Sequence, residues 1–125
     1  MPGGPIEKLR FSRAQRLQKT WEFERARTEG KRLVKGCLIL NWRFNVAQTI
    51  PRLGVITSKK IGGAVVRTRA RRLLRESFRL NQHHLSPSAD LVLIARQSIA
   101  NKSAAEVEKD FLSAAKQARL LREVT

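Results

Sequence analysis

The run VVRTRARRLLRESFR, residues 65–79, restricts the fold more than any other stretch of the chain. Around a single carboxylate, Glu76, it sets Arg67, Arg69, Arg71, Arg72, Arg75 and Arg79. At about 100° per residue, Val66, Ala70, Leu73, Leu74, Ser77 and Phe78 fall within an arc of roughly 140°. Arg69, Arg71, Arg72, Arg75 and Arg79 fall on the opposite arc. The segment therefore predicts a helix over about 65–80, with one face buried and the other a nearly unbroken guanidinium surface. Arg71, Arg75 and Arg79 are neighbours at i, i+4 and repel by a few tenths of a kcal/mol per pair. Such a face is tolerated where an anion lies against it, and Glu76 alone offers relief from within the run.

The whole chain repeats the imbalance. Its 125 residues carry 26 Lys+Arg against 10 Asp+Glu, a formal charge of +16 and a pI near 11.6. That balance speaks of partners and solubility rather than of fold, and polyphosphates are the partners it fits. A solvated charged face is the plain alternative, but such faces mix signs and favour Lys/Glu pairs. Here arginine dominates, and its fork matches phosphate in a bidentate way. Lys59 and Lys60 extend the patch upstream across the turn KKIGG, where Gly62 and Gly63 leave free N–H donors that favour an anion. No Lys-Ser/Thr follows a long glycine frame, so this is not a nucleotide-binding loop. A membrane-surface role would want bulky apolar anchors on the basic helix. No apolar run approaches the ~18–20 residues of a membrane span, and the N-terminus has no apolar signal-like core. With Cys37 as the one cysteine, inside the apolar run CLIL, no internal disulfide is possible. The chain reads as a soluble, cytoplasmic protein, with Cys37 as a small buried hydrophobe.

Residues 1–10 read as a loose Gly/Pro-rich arm and 11–125 as one domain. Ser12 with Gln15 forms a capping-box pattern. Thr20 can cap a helix over 20–29 that Gly30 stops. VKGCLILNWR at 34–43 reads as a strand, with Leu38, Leu40 and Trp42 on one face and Cys37 and Ile39 on the other. A short strand fits 44–48. Pro51 belongs at a start or edge, and a firmer strand fits 52–57. After the arginine helix and the loop NQHHLSPSA, the apolar run DLVLIAR predicts a buried strand over 90–96. Ser103 and Glu106 form a second capping box. It opens a helix over 104–122 with Val107, Phe111, Ala114, Ala118 and Leu121 on one stripe. The order is α-β-β-β-α-β-α: an α+β fold, a two-layer α/β sandwich on a small mixed sheet, with a β-α-β unit at its centre.

KKIGGAVVRTRARRLLRESFR resembles the signature of the bacterial ribonuclease P protein family, roughly K-K-x-G-x-A-V-x-R-N-R-x-K/R-R-x-x-R-E-x-F-R. Lys59, Lys60, Gly62, Ala64, Val65, Arg67, Arg69, Arg71, Arg72, Arg75, Glu76, Phe78 and Arg79 match it. Arg16, Leu17 and Phe23 resemble the family's early R-L-x-x-x-x-x-F segment. PRLGVITSKK and DLVLIAR resemble two of its strands, so the likeness spans about residues 9–121. Thr68 stands where the family usually has Asn, and offers a hydroxyl where Asn offers a donor and an acceptor.

The resemblance implies a ribosomal-protein-like sandwich with a left-handed β-α-β crossover, against the usual right-handed rule. It implies the small subunit of a ribonucleoprotein, one protein to one RNA. The RNA there carries the catalytic site and the Mg2+ ions, with no cofactor in the protein, and cuts the 5′ leader from precursor tRNA. The RNA-binding set it implies is Lys59, Lys60, Arg67, Thr68, Arg69, Arg71, Arg72, Arg75 and Arg79. A leader cleft between the first helix and the sheet would use Phe23, Arg27 in place of a second family aromatic, and Trp42. The residues themselves agree about catalysis. Asp90 and Asp110 are far apart, no D-x-D or H-x-H occurs, and the loop pair His83 and His84 reads as solvated, so no catalytic or metal residue is expected. A second reading remains open: a ribosomal or nucleoid-type binding module using the same basic helix, since architecture does not fix function.

Overall fold

A computed structural model describes residues 11–122. The arm expected over 1–10 lies outside the described residues. The elements are α1 (Thr20–Thr28), β1 (Lys31–Lys35), β2 (Leu38–Phe44), β3 (Arg52–Ile56), α2 (Ala64–Asn81), β4 (Ala89–Ala95) and α3 (Ala104–Gln117). They form one sheet in the order β1-β2-β4-β3. β2 is antiparallel to both β1 and β4, and β3 runs parallel to β4. The α+β order and the β3-α2-β4 unit are those the sequence predicts.

The sheet's two faces are unequal. On one, Leu38, Leu40 and Trp42 of β2, Leu53 of β3 and Leu91 and Leu93 of β4 pack against α2 and α3. Ala70, Leu73, Leu74 and Phe78 come from α2, and Val107, Phe111, Ala114 and Ala115 from α3. Phe78 and Phe111 are fully buried; truncating either to Ala should cost about 3–5 kcal/mol. On the other face α1 lays Phe23 and Ala26 over Val92, with Leu17 beside them. Leu17 donates its N–H to the Leu53 carbonyl at 2.9 Å, which ties the N-terminal segment to the β3 edge. The helix beneath the arginines thus buries the stripe its periodicity requires.

Four local expectations need correction. The strand over 34–43 is two strands, a hairpin with Gly36 and Cys37 as its loop. Gly36 has φ 54°, the left-handed value that two-residue hairpin loops favour. Asp110 of α3 accepts the Cys37 N–H at 3.0 Å and lies where a Cβ on Gly36 would sit. The third helix thereby pins the hairpin tip. The short strand at 44–48 is instead a turn. Asn45 Oδ1 accepts the Ala47 N–H at 3.2 Å and the Asn45 carbonyl accepts the Gln48 N–H at 3.0 Å, an Asx turn. Thr20 is the first residue of α1 rather than its cap. Glu22 Oε1 instead accepts the N–H groups of Gln18 and Lys19 at 2.9 and 3.1 Å. Finally, α3 stops at Gln117, and Arg119 beyond it turns left-handed. The Ser103–Glu106 box is reciprocal as predicted, at 2.9 and 3.2 Å.

Candidate nucleic-acid interface

The arginines do not form one surface. Thr68, Arg71, Arg72, Arg75 and Arg79 line a groove along α2, closed on its other side by Phe11 and Arg16 of the N-terminal segment. Phe11 packs edge-on to Phe78 at 5.5 Å between centroids, and the Arg16 guanidinium sits 4.9 Å over the Phe11 ring. Glu76 is spent within the groove, accepting from Arg79 Nε at 2.9 Å. That bond first, with Arg72 also contributing, holds the Glu76 carboxyl below its ordinary value. Arg71 is anchored, donating to Thr57 Oγ1 at 2.7 Å and to Thr68 Oγ1 at 3.3 Å. Where the family usually has Asn, then, this chain has a hydroxyl that accepts from the neighbouring arginine. Arg72 and Arg75 make no hydrogen bond or ion pair to the described residues. Burial first, then the neighbouring cations Arg16 and Arg71, push the Arg75 guanidinium below its ordinary value. The groove concentrates positive charge that lacks a protein counter-ion, which is what a phosphate backbone supplies.

The remaining predicted residues disperse. Arg69 turns to the other side of α2 and donates to the Lys102 carbonyl at 2.7 Å. Arg67 sits half-buried in the first turn of α2, its Nε shielded and without a partner. Lys59 and Lys60 open an exposed turn fixed by buried Ile61 and by Gln97, whose Nε2 donates to the Lys60 carbonyl at 2.9 Å. Arg16 was not singled out as an RNA contact by sequence reasoning. Its signal was weak: one arginine in a mixed segment, brought to α2 by the Leu17–Leu53 pairing.

On the α1 face, strand register lines residues up in three rows. Ile39, Ile94 and Ile56 form the first, Asn41, Val92 and Gly54 the second, and Arg43, Asp90 and Arg52 the third. α1 covers the second and third rows. Phe23 rests on Gly54 so closely that a Cβ there would lie 2.4 Å from its ring. Glu22 pairs with Arg52, and Arg43 lies 3.8 Å from Asp90 and from Glu29. The isoleucine row stays partly exposed. Arg27 and Arg32 share one pocket with Ile94 and Asn41, and Lys60 and Arg96 share another with Ile39. This is a cleft between the first helix and the sheet, with an apolar floor flanked by cations.

Phe23 and Arg27 lie at that cleft; Trp42 does not. It points to the opposite face and packs into the core between α2 and α3, 9% exposed. Its alternation with Leu38 and Leu40 already implied this, because a strand cannot present i and i+2 to opposite faces. The carboxylates flagged in the sequence are structural. Asp110 holds the hairpin tip, and Asp90 is buried beside Arg43, where desolvation raises its pKa against the pull of Arg52 and Arg43. No helix among the described residues is long and apolar enough to cross a membrane.

Comparison with known proteins converges on one family. The profile of the ribonuclease P family matches residues 11–119. The ribonuclease P protein component of Clostridium beijerinckii is 39% identical over 111 residues, covering 84% of this chain and 89% of that protein. That of Clostridium acetobutylicum is 37% identical over 94 residues, covering 74% and 79%. Among solved structures, the RNase P protein of Staphylococcus aureus superposes with a TM-score of 0.80 at 26% identity, covering 88% of this chain and 100% of that one. The RNase P protein of Thermotoga maritima gives 0.74 at 27% identity, covering 82% and 96%.

Proposed function

The chain belongs to the bacterial ribonuclease P protein family, and from that membership we propose how its two surfaces divide the work of an accessory subunit. The arginine groove holds the ribonuclease P RNA, and the cleft beside α1 receives the single-stranded 5′ leader of precursor tRNA. The observation that carries this division is the isoleucine row. It is an apolar strip flanked by cations, on the opposite face of the sheet from α2. Bases rest on apolar and aromatic surface while phosphates seek cations, which is how single strands are held without pairing. The groove gathers five arginines around one carboxylate and suits a folded RNA backbone.

In this reading the protein performs no bond-breaking step. The RNA carries the scissile chemistry, and its Mg2+ ions are bound by RNA. Glu22, Glu76, Asp90 and Asp110 are committed to Arg52, Arg79, Arg43 and the Cys37 amide in turn. Arg16, Arg71, Arg72 and Arg75 screen repulsion between the RNA strands they touch. Phe23, Arg27 and Lys60 hold the leader on the strip and so hold the cleavage site in register. One protein acts with one RNA, in the cytoplasm.

The test is cleavage of a labelled precursor tRNA by the protein and the ribonuclease P RNA of the same organism at low magnesium. Together they should cut at the mature 5′ end where neither does so alone. RNA binding without rescue of cleavage would leave a basic binding module instead. Phe23→Ala should weaken binding of leader-bearing tRNA more than leaderless tRNA, and equal losses would remove the leader from the cleft.

A further inference from the structure

Past the last turn of α2, where the arginine groove ends, lies a cavity of about 420 Å³ that the two surfaces described above do not use. Gln15 and Gln82 line it, while the adjoining Arg16 and Arg79 line the groove. Two buried amides join the N-terminal segment to α2 at this point. Gln15 Nε2 donates to Gln82 Oε1 at 2.6 Å, and Gln82 Nε2 donates to the Arg79 carbonyl at 3.1 Å. The cavity is thus continuous with the groove. It is remote from the isoleucine row, which crosses β3 at Ile56, whereas the cavity adjoins Pro51 before the other end of that strand.

The chain segments that form it are tied down. The Asn45 N–H reaches the Ser88 carbonyl at 2.7 Å and Gln48 Nε2 reaches the Ala89 carbonyl at 3.0 Å, which holds the loop carrying Thr49 and Ile50. The Leu85–Leu121 bridge and the Arg122 N–H, 2.6 Å from the His84 carbonyl, hold Arg122 against the loop after α2. Ile50, Pro51 and Pro87 give the cavity an apolar wall. Thr49, His83 and Arg122 are exposed at it, and their side chains make no hydrogen bond or ion pair to the described residues. A preformed apolar wall with a few convergent polar groups is the make-up of a ligand site. The set fits one unpaired nucleotide. Its base would lie on the aliphatic wall with its edge toward Thr49 and His83, and its phosphate would meet the Arg122 fork. A bare anion would leave the apolar wall unused. Resting on the groove reading, we infer that this cavity seats one unpaired nucleotide of the ribonuclease P RNA, turned out of the strand whose phosphates lie along α2. The groove then supplies ionic affinity, and the seat fixes the register of the RNA along the helix.

The experiment reconstitutes the protein with the ribonuclease P RNA of the same organism, in which unpaired nucleotides are made abasic one at a time. The readout is affinity at several salt concentrations. With the natural protein one abasic position should weaken binding roughly tenfold, the scale of one stacked base. The salt slope should stay unchanged, since no phosphate is lost. In Thr49→Phe, which fills the cavity from an exposed position, the same base removal should cost nothing further. A photoreactive group on Thr49→Cys, with Cys37 buried, should crosslink to that nucleotide in the assembled holoenzyme. If no base removal weakens binding by the natural protein, the inference is overturned, whether or not Thr49→Phe folds. Full sensitivity in Thr49→Phe, or a crosslink to precursor tRNA instead, overturns it as well. If binding of the unmodified RNA does not depend on salt, the groove reading itself fails, separately from the seat.

Discussion

Arg119 ends α3 in a conformation that ordinarily belongs to glycine. Its φ is 60°, its N–H reaches the Lys116 carbonyl at 3.1 Å, and Leu120 closes the turn on the Ala115 carbonyl at 2.9 Å. That pair of bonds is the Schellman arrangement, with buried Leu120 as its apolar contact. The left-handed state costs a side-chain-bearing residue roughly 1–2 kcal/mol. Arg119→Gly should therefore raise stability by about 0.5–1 kcal/mol, since glycine's extra unfolded freedom offsets part of the gain. Urea unfolding checks this: the midpoint should rise with the slope unchanged. The helix end was illegible because its usual marker, Gly or Asn, is absent, and the apolar stripe runs on through Ala118 and Leu121. Cys37 gives a second residue-scale expectation. Burial first, then the hydrogen bond and charge of Asp110, push its thiol up to about 12. Thiolate is the reactive form, so at pH 8 a thiol reagent should label the native protein only at the rate of opening. Prompt stoichiometric labelling of the folded protein would contradict the burial.

At the scale of elements, α1 is a short helix of weak amphipathicity held by specific contacts. Chief among these is Phe23 on the bare backbone of Gly54 in the middle of β3. A strand glycine where another group approaches closely is a recognised use of the residue. Gly54→Ala would place a methyl inside the Phe23 ring, and overpacking of this kind costs typically 1–3 kcal/mol. We expect a lower melting temperature together with a smaller preference for leader-bearing tRNA, because α1 shifts along with Phe23. A melting temperature equal to the natural protein's would mean that Phe23 does not rest there. The arginine helix and the buried strand after it were readable from periodicity and from a bounded apolar run. The β1–β2 hairpin was not. Gly36 looked like a flank to an apolar run, and only the pairing of Lys35 with Leu38 makes it a loop.

At the scale of the molecule, the two surfaces sit on opposite faces of one thin sheet. RNA binding at the groove, as proposed above, would be ionic, so affinity should fall steeply with salt. Replacing Arg71, Arg72 and Arg75 with Ala should weaken assembly with the ribonuclease P RNA. It should also reduce the slope of log affinity against log salt by about 2–3, at roughly 0.7–0.9 for each phosphate left without its arginine. Binding titrations at several salt concentrations measure it, and an unchanged slope would take the phosphates off those arginines.

The sequence by itself determined the order of elements, the buried stripe of α2 and the sign and strength of the charge. These are properties of residues a few positions apart, where helical or strand periodicity decides which side chains share a face. It also contained the family's signature, a pattern along the chain. Tertiary structure alone decided which cations share a surface: Arg16 joins the groove from a distant segment and Arg69 leaves it. It also decided that Ile39, Ile94 and Ile56 lie in one row with Asn41 beside them. Strand register and the path of the N-terminal segment set those neighbours. They arise from packing between residues far apart in the chain, to which no local period refers.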